Sequence, residues 1–286
     1  MPIELTAPPH PPRGTIIDAW AQPGLPQLAE RVPESARLLR ASGSPLLDGS
    51  MDPDATVEAM DRAGIAALML SAWCRPGAWV FTNDEIARFT SRHPTRFHGV
   101  AAVDLARPLD AVRELERAVC ELGFKALRVI PWLWRLPPND RLYYPLYVKC
   151  IELGIPFCTQ VGHTGPLMPS EPGRPIPYLD EVALTFPELT IVGGHIGYPW
   201  TDEMIGVAWK HENVHIDTSA YLPHYYPPAL LTFMNSHGRH KVLFGTNFPQ
   251  LPFERCVDQA LALDLRPASR EAFFSGNARR VFKLDR

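Results

Sequence analysis

No stretch of the 286-residue chain comes near the 18 or so consecutive apolar residues that a membrane span requires, and the opening segment MPIELTAPPHPPRG lacks an apolar core of signal-peptide length. The expectation is a cytoplasmic protein with no membrane partner. Charge of one sign is lacking as well. The 28 Lys and Arg against 31 Asp and Glu leave a formal net charge of −3, which gives no global electrostatic reason to bind nucleic acid. A small-molecule partner is expected instead. Cysteine is sparse: five residues (Cys74, Cys120, Cys150, Cys158, Cys256), odd in number and without CxxC spacing, which argues against a disulfide framework and against a zinc ribbon. There is no low-complexity tail, and no Gly-rich nucleotide turn follows the first apolar run.

Proline is abundant, 31 residues or about twice ordinary usage, and it falls between apolar runs, as in a fold with many shaped loops. Those runs number eight: TIIDA from Thr15, IAALMLS after Gly64, FHGVAAVD after Arg96, FKALRVI after Gly123, PFCTQV after Ile155, LTIVGGH after Glu188, VHIDTS after Asn213 and KVLFGT after His240. Short, nearly continuous apolar runs are the pattern of strands buried on both faces of a parallel sheet. Between them lie segments of helical character: Asp54 to Ala63, Asn83 to His93, Pro108 to Leu122, Leu142 to Leu153, Tyr178 to Phe186, Thr201 to His211, Pro227 to Ser236 and Phe253 to Leu263. Eight β-then-α units of similar length predict an α/β protein with a (β/α)8 TIM barrel rather than an open doubly wound sheet. The chain reads as a single domain over 1–286, with 27–53 as a long loop or small subdomain after the first strand and Arg266 to Arg286 as a closing helix pair.

In such a barrel the chemistry belongs at the C-terminal strand ends. In order these carry Asp18, Trp20 and Gln22; Ser71 and Trp73; Asp104; Arg128 and Trp132; Gln160 and His163; His195 and Tyr198; Asp217 and Ser219; and Asn247. His195 in GGHIG follows two glycines that permit close backbone approach, so it is a candidate for catalysis or substrate contact, against a satisfied structural histidine. His163, in the Gly-bounded GHTGP, suits a mobile lid as well as a fixed acid or base. Asn247 in GTNFP is a site candidate whose bland role is an Asx-type loop bond. Arg128 offers a head for a carboxylate or a CoA phosphate, or else a partner for Asp104. Trp20, Trp73, Trp132 and Trp134 suggest an aromatic substrate slot, although aromatic packing explains them too. His10, His93, His98, His211, His215, His224, His237 and His240 read as surface residues, His224 least clearly.

Taken together, IIDAWAQP, GIPFCTQVGHTG, FPELTIVGGHIGYPW, HENVHIDTSAY and KVLFGTNFP resemble the amidohydrolase superfamily, in its amidohydrolase-2 branch of hydrolases, decarboxylases and hydratases. The resemblance places the family's metal-binding His-x-His pair on Trp20 and Gln22, its strand-five His on Gln160, its strand-six His on His195 and its strand-eight Asp on Asn247. Only His195 is a strong donor, so the expectation is a pocket with no metal and no other cofactor. Cys158 and His163 leave room for a rearranged site. Gln22, Gln160 and Asn247 keep hydrogen-bonding capacity, and with His195, His163, Arg128 and Tyr198 they can hold and polarise a carbonyl.

The runs ALRVIPWLWRLPPNDRLYYPLY and GIPFCTQVGHTGPLMPSEPGRPIPYLDEVAL are most similar to a bacterial subgroup linked to cleavage of aryl β-ketoacyl-CoA thioesters in aromatic acid breakdown. The resemblance therefore implies a C–C hydrolase. His195 or His163 would be the base toward water, Arg128, Asn247, Gln160 and Gln22 would hold the oxyanion, and Trp20, Trp73, Trp132 and Tyr198 would line the substrate slot. The alternatives are a decarboxylase of an aromatic or β-keto acid, and a catalytically silent barrel that binds a ligand or partner. Barrels of this branch are often homodimers, which leaves a homodimer open here.

Overall fold

In the computed structural model, which describes residues 14–284, each of the eight apolar runs contributes a strand to one sheet. His10, most of the opening segment and the last two residues of the closing segment lie outside the described residues. In chain order the strands are β1 (Ile16–Ala21), β2 (Ile65–Ser71), β3 (Trp73–Arg75), β4 (Ala78–Phe81), β5 (Phe97–Ala101), β6 (Ala126–Val129), β7 (Phe157–Gln160), β8 (Ile191–Gly194), β9 (Val214–Asp217) and β10 (Val242–Leu243). The large sheet runs β1-β2-β5-β6-β7-β8-β9-β10, every neighbour parallel. It closes on itself. Ala19 N–H donates to Phe244 O at 2.9 Å, Asn247 N–H to Trp20 O at 2.8 Å and Gln22 N–H to Phe248 O at 2.9 Å, so no edge is left unpaired there. The protein is a (β/α)8 barrel. The short antiparallel hairpin β3–β4, which the periodicity did not predict, extends from the end of β2.

The strand sequences explain the layering. Along β2, Leu68 and Leu70 face the helices while Ala67 and Met69 face the barrel interior, the period of two that a strand imposes. Small residues recur inside (Ala19, Ala67, Ala126, Cys158), and they leave room for two large side chains, Trp20 and Arg128, both fully buried. Trp20 arrives there because the β1–β2 register shifts between Asp18 and Ala21, the kind of irregularity that re-aims a side chain beside a site.

The outer helices obey local rules. The helix Pro53–Ala63 starts at Asp52, whose carboxylate caps Ala55 N–H at 2.8 Å, and ends at Gly64 in the left-handed conformation that turns the chain into β2. The helix Asn83–Ser91 has a full capping box from Thr82 and Glu85. The segment 27–53, expected as a loop or subdomain, forms short helices at Gln27–Arg31 and Ala36–Ser42, with single turns at Pro33–Ser35 and Pro45–Leu47. His211 and His215, read from sequence as surface residues, are both 8 % exposed. His211 is drawn in by Asp180 at 2.7 Å, and His215 sits on β9. No helix among the described residues is long and apolar enough to cross a membrane.

Candidate active site

The C-terminal strand ends surround a pocket of about 150 Å³. Its walls bring together eight of the residues expected there: Trp20, Gln22, Trp73, Trp132, Gln160, His163, His195 and Asn247. The backbone is strained at this end of the barrel. His195 (φ 72°), Ala220 (φ 66°) and Asn247 (φ 64°) line the pocket in a conformation that residues other than glycine seldom adopt. Such outliers persist where the surroundings hold them, and they cluster at functional sites.

The amides form a connected rim. Gln22 Nε2 donates to Asn247 Oδ1 at 2.9 Å, and Asn247 Nδ2 donates to Gln250 Oε1 at 2.6 Å. Trp132 Nε1 donates to Gln160 Oε1, whose own Nε2 donates to His163 O at 3.3 Å. Two buried polar atoms on the walls have no protein partner: the acceptor Gln22 Oε1 and the donor Trp73 Nε1. Buried polar groups are ordinarily paired, so these two define what a ligand would supply: one donated hydrogen and one acceptor oxygen.

The two histidines differ. His195 is buried, its ring set edge-on to Trp20 at 5.1 Å and its Nδ1 2.7 Å from Ser219 Oγ. Burial, with the neighbouring Arg128 and His163 adding to it, pushes this imidazole down to about 3, so it is neutral at physiological pH. His163 is half-buried in the loop after β7, its Nδ1 2.9 Å from the Tyr221 hydroxyl.

Arg128 and Tyr198, expected at the site, do not line the pocket. Arg128 lies on β6 one layer below the mouth, where its guanidinium stacks on the Trp20 ring at 3.6 Å and donates weakly to Ala21 O (3.4 Å) and Ala19 O (3.3 Å). It does not pair with Asp104, whose carboxylate accepts from Ala106 N–H at 3.0 Å. Burial pushes the guanidinium down to about 10, which still leaves it charged. Tyr198 is 48 % exposed and packs behind His163 and Tyr221, with ring centroids at 5.7 and 5.6 Å. Sequence reasoning missed Tyr221, the last residue of HENVHIDTSAY, and Gln250, the residue after KVLFGTNFP. It also missed Leu28, Ser35 and Leu39, which the segment after β1 folds over the mouth. The signal for the last three was present, because a long loop at a C-terminal strand end can only lie over the barrel mouth.

The donor set does not fit a catalytic divalent cation. Indole offers no metal-binding lone pair, the amide oxygens of Gln160 and Asn247 are weak donors that already accept hydrogen bonds, and the unpaired Gln22 Oε1 is a weak donor standing alone. Among the described residues no group of three or more His, Cys, Asp or Glu converges as a metal would need.

Compared with known proteins, residues 17–284 match the amidohydrolase family model Amidohydro_2. The chain is 28% identical over 250 residues to a 2-keto-4-carboxy-3-hexenedioate hydratase of Sphingobium sp. (strain NBRC 103272 / SYK-6), covering 71% of each protein. It is 25% identical over 254 residues to a gamma-resorcylate decarboxylase of Polaromonas sp. (strain JS666 / ATCC BAA-500), covering 71% of this chain and 76% of that one. Among solved structures, an uncharacterised TIM-barrel protein of Bordetella bronchiseptica superposes with a TM-score of 0.83 at 26% identity, over 94% of this chain and 98% of that one.

Proposed function

Because the chain belongs to the amidohydrolase family, we propose that it is a decarboxylase acting on an aromatic acid of one ring, or on a β-keto acid of similar size, without a tightly bound metal. The observation that carries this reading is the pocket itself. Its volume of about 150 Å³ matches a cavity that takes one benzene ring, and its unpaired Gln22 Oε1 and Trp73 Nε1 ask for a hydroxyl and an acceptor oxygen on the same ligand. The decarboxylase among the relatives supports the choice of reaction.

The chemistry follows from the residues. Trp73 Nε1 donates to the substrate carboxylate, while the apolar walls strip it of water. Gln22 Oε1 and the neutral His195 accept from the substrate hydroxyl, which raises electron density on the ring carbon that bears the carboxylate. His163, whose Nδ1 lies 2.9 Å from the Tyr221 hydroxyl, acts in its doubly protonated form: Nδ1–H donates to that hydroxyl, the Nε2 proton goes to the ring carbon, and a neutral imidazole is left to regain a proton from solvent. The C–C bond then breaks, its electron pair stays with the ring and carbon dioxide leaves. General acid help of this kind typically contributes about 10²- to 10⁴-fold.

Incubating the purified protein with a panel of hydroxybenzoates and β-keto acids, with carbon dioxide trapped and products separated, tests the reading. Carbon dioxide release is expected, with kcat falling by about 10²- to 10⁴-fold in His163→Gln and in His195→Ala while the fold is kept. Wild-type turnover in both variants, or no carbon dioxide from any acid, would sink it.

One observation favours a second reading, C–C hydrolysis of an aryl β-ketoacyl-CoA thioester. An open groove of about 640 Å³ shares His163, Gly165 and Pro166 with the pocket and runs past Arg37. A long thioester arm would lie there, with a histidine acting as base toward water and the amide rim on the oxyanion. That reaction yields an aromatic acid and a shorter acyl-CoA thioester, and no carbon dioxide.

A further inference from the structure

Two neighbouring strands end on one contact. His195 follows the last residue of β8, Ser219 lies two residues past the end of β9, and His195 Nδ1 stands 2.7 Å from Ser219 Oγ, both residues buried. The backbone holds the pair face to face. His195 (φ 72°) and Ile196 (φ 50°) on one side, and Ala220 (φ 66°) beside Ser219 on the other, adopt left-handed conformations that only firm surroundings maintain. With Nδ1 turned to Ser219, Nε2 is the ring nitrogen left for a ligand in the pocket that His195 lines. A neutral imidazole carries its one proton on either nitrogen, so the direction of the hydrogen bond at Nδ1 decides whether Nε2 meets the ligand as acceptor or as donor.

The Ser219 hydroxyl has one hydrogen and two nearby acceptors. One is His195 Nδ1, and the other is the Asp217 carboxylate, whose Oδ1 already accepts from Ser219 N–H at 2.7 Å. That carboxylate is fully buried, its Oδ2 has no hydrogen-bond partner, and Gly245 packs so close that a Cβ there would fall 2.7 Å from Oδ2. Burial pushes the Asp217 carboxyl up to about 6, and the Ser219 hydroxyl, its amide and the charge of Arg128 act against that push. At neutral pH Asp217 is therefore an anion short of donors, and an anionic oxygen takes a hydrogen in preference to a neutral nitrogen. The hydroxyl turns to Asp217, its oxygen is left to accept, and the proton of His195 sits on Nδ1.

We propose that Ser219 is a positioning residue: its hydroxyl, turned by Asp217, fixes the His195 imidazole as the Nδ1–H tautomer and so points the Nε2 lone pair into the pocket. The consequence for catalysis rests on the decarboxylase reading, in which His195 accepts from the substrate hydroxyl. The tautomer is set in the free protein and stands apart from that reading. Without the Ser219 oxygen nothing in the contact selects Nδ1–H, and the ring exchanges between its two neutral forms.

The test is a long-range 1H–15N correlation spectrum of the full chain labelled at the histidine nitrogens, recorded at neutral pH without substrate, with the His195 signals identified by their loss in His195→Ala. In wild type the expected pattern is a protonated Nδ1 and an unprotonated Nε2. Ser219→Ala should move both nitrogen signals toward the average of the two tautomers. On any acid that the protein decarboxylates, Ser219→Ala should lower kcat by about 2- to 10-fold, the worth of one ordinary hydrogen bond, and should add no further loss to His195→Ala. An Nε2–H pattern in wild type overturns the proposal, as does a wild-type pattern kept in Ser219→Ala or a full second loss on top of His195→Ala. Absence of turnover on every acid sinks the decarboxylase reading alone, because the spectra decide the tautomer of His195 either way.

Discussion

At the scale of single residues, one exchange explains the character of the site. Where the family resemblance places the first metal-binding histidine, this chain has Trp20, and beneath its indole lies the Arg128 guanidinium at 3.6 Å. A cation stacked on an aromatic face is favourable, more so when both are dehydrated. It also puts a fixed positive charge under the floor of the pocket, which disfavours a second cation above it. Two buried carboxylates, Asp18 and Asp217, stand close enough for their charges to act on Arg128. Metal analysis after dialysis against zinc or manganese should therefore find far less than one ion per chain. Turnover should be unchanged by a chelator. A stoichiometric ion that survives dialysis, together with activity lost on chelation and restored by metal, would show that the pocket rearranges to accept one.

At the scale of elements, β8 shows how strand sequence shapes the floor. Its run ends in two glycines, and a Cβ on Gly194 would fall 2.7 Å from Trp20 Cζ3. That close approach lets the indole lie flat across the barrel between Arg128 and His195. Gly194→Ala should push Trp20 out of its seat and cost about 1–3 kcal/mol, the range for overpacking a dense core. A urea denaturation series and the near-UV circular dichroism of the indole measure this. An unaltered signal with unaltered stability would mean that Trp20 has free space to move into. The elements were the most legible part of the sequence. Strands buried on both faces must be apolar throughout, so IAALMLS and LTIVGGH announce themselves. Hairpin β3–β4 did not, because WCRPGAWVF is too short for a period to emerge. The site was legible as a set of strand ends but not in depth. Whether Arg128 reaches the mouth depends on which interior layer it occupies and on the register shift that swings Trp20 over it, and neither is written in local pattern.

At the scale of the whole molecule, burial of ionisable groups sets how stability responds to pH. Burial raises Asp18 to about 7 and Asp217 to about 6, from an ordinary value of 3.8. Between 3.8 and those figures the folded protein keeps protons that the unfolded chain has shed. Both carboxylates therefore favour the folded state on the acid side, and that contribution is lost as pH climbs toward 7. Burial pushes His195 and His215 the other way, from 6.5 to about 3, so as pH falls below 6.5 the unfolded chain takes up protons that the folded one refuses, and stability falls. The two pairs oppose each other over one window, and wild-type stability should be nearly flat between about pH 4.5 and about pH 6.5. Asp18→Asn removes one carboxylate from the balance. Its stability should then drop on acidification through that window more steeply than wild type, by up to about 1.4 kcal/mol per pH unit, the slope of one net proton. His215→Gln, far from the mouth, should tilt the curve in the opposite sense. Urea midpoints across the window measure both slopes, and parallel curves for all three proteins would show that these buried groups are ionised as they are in water.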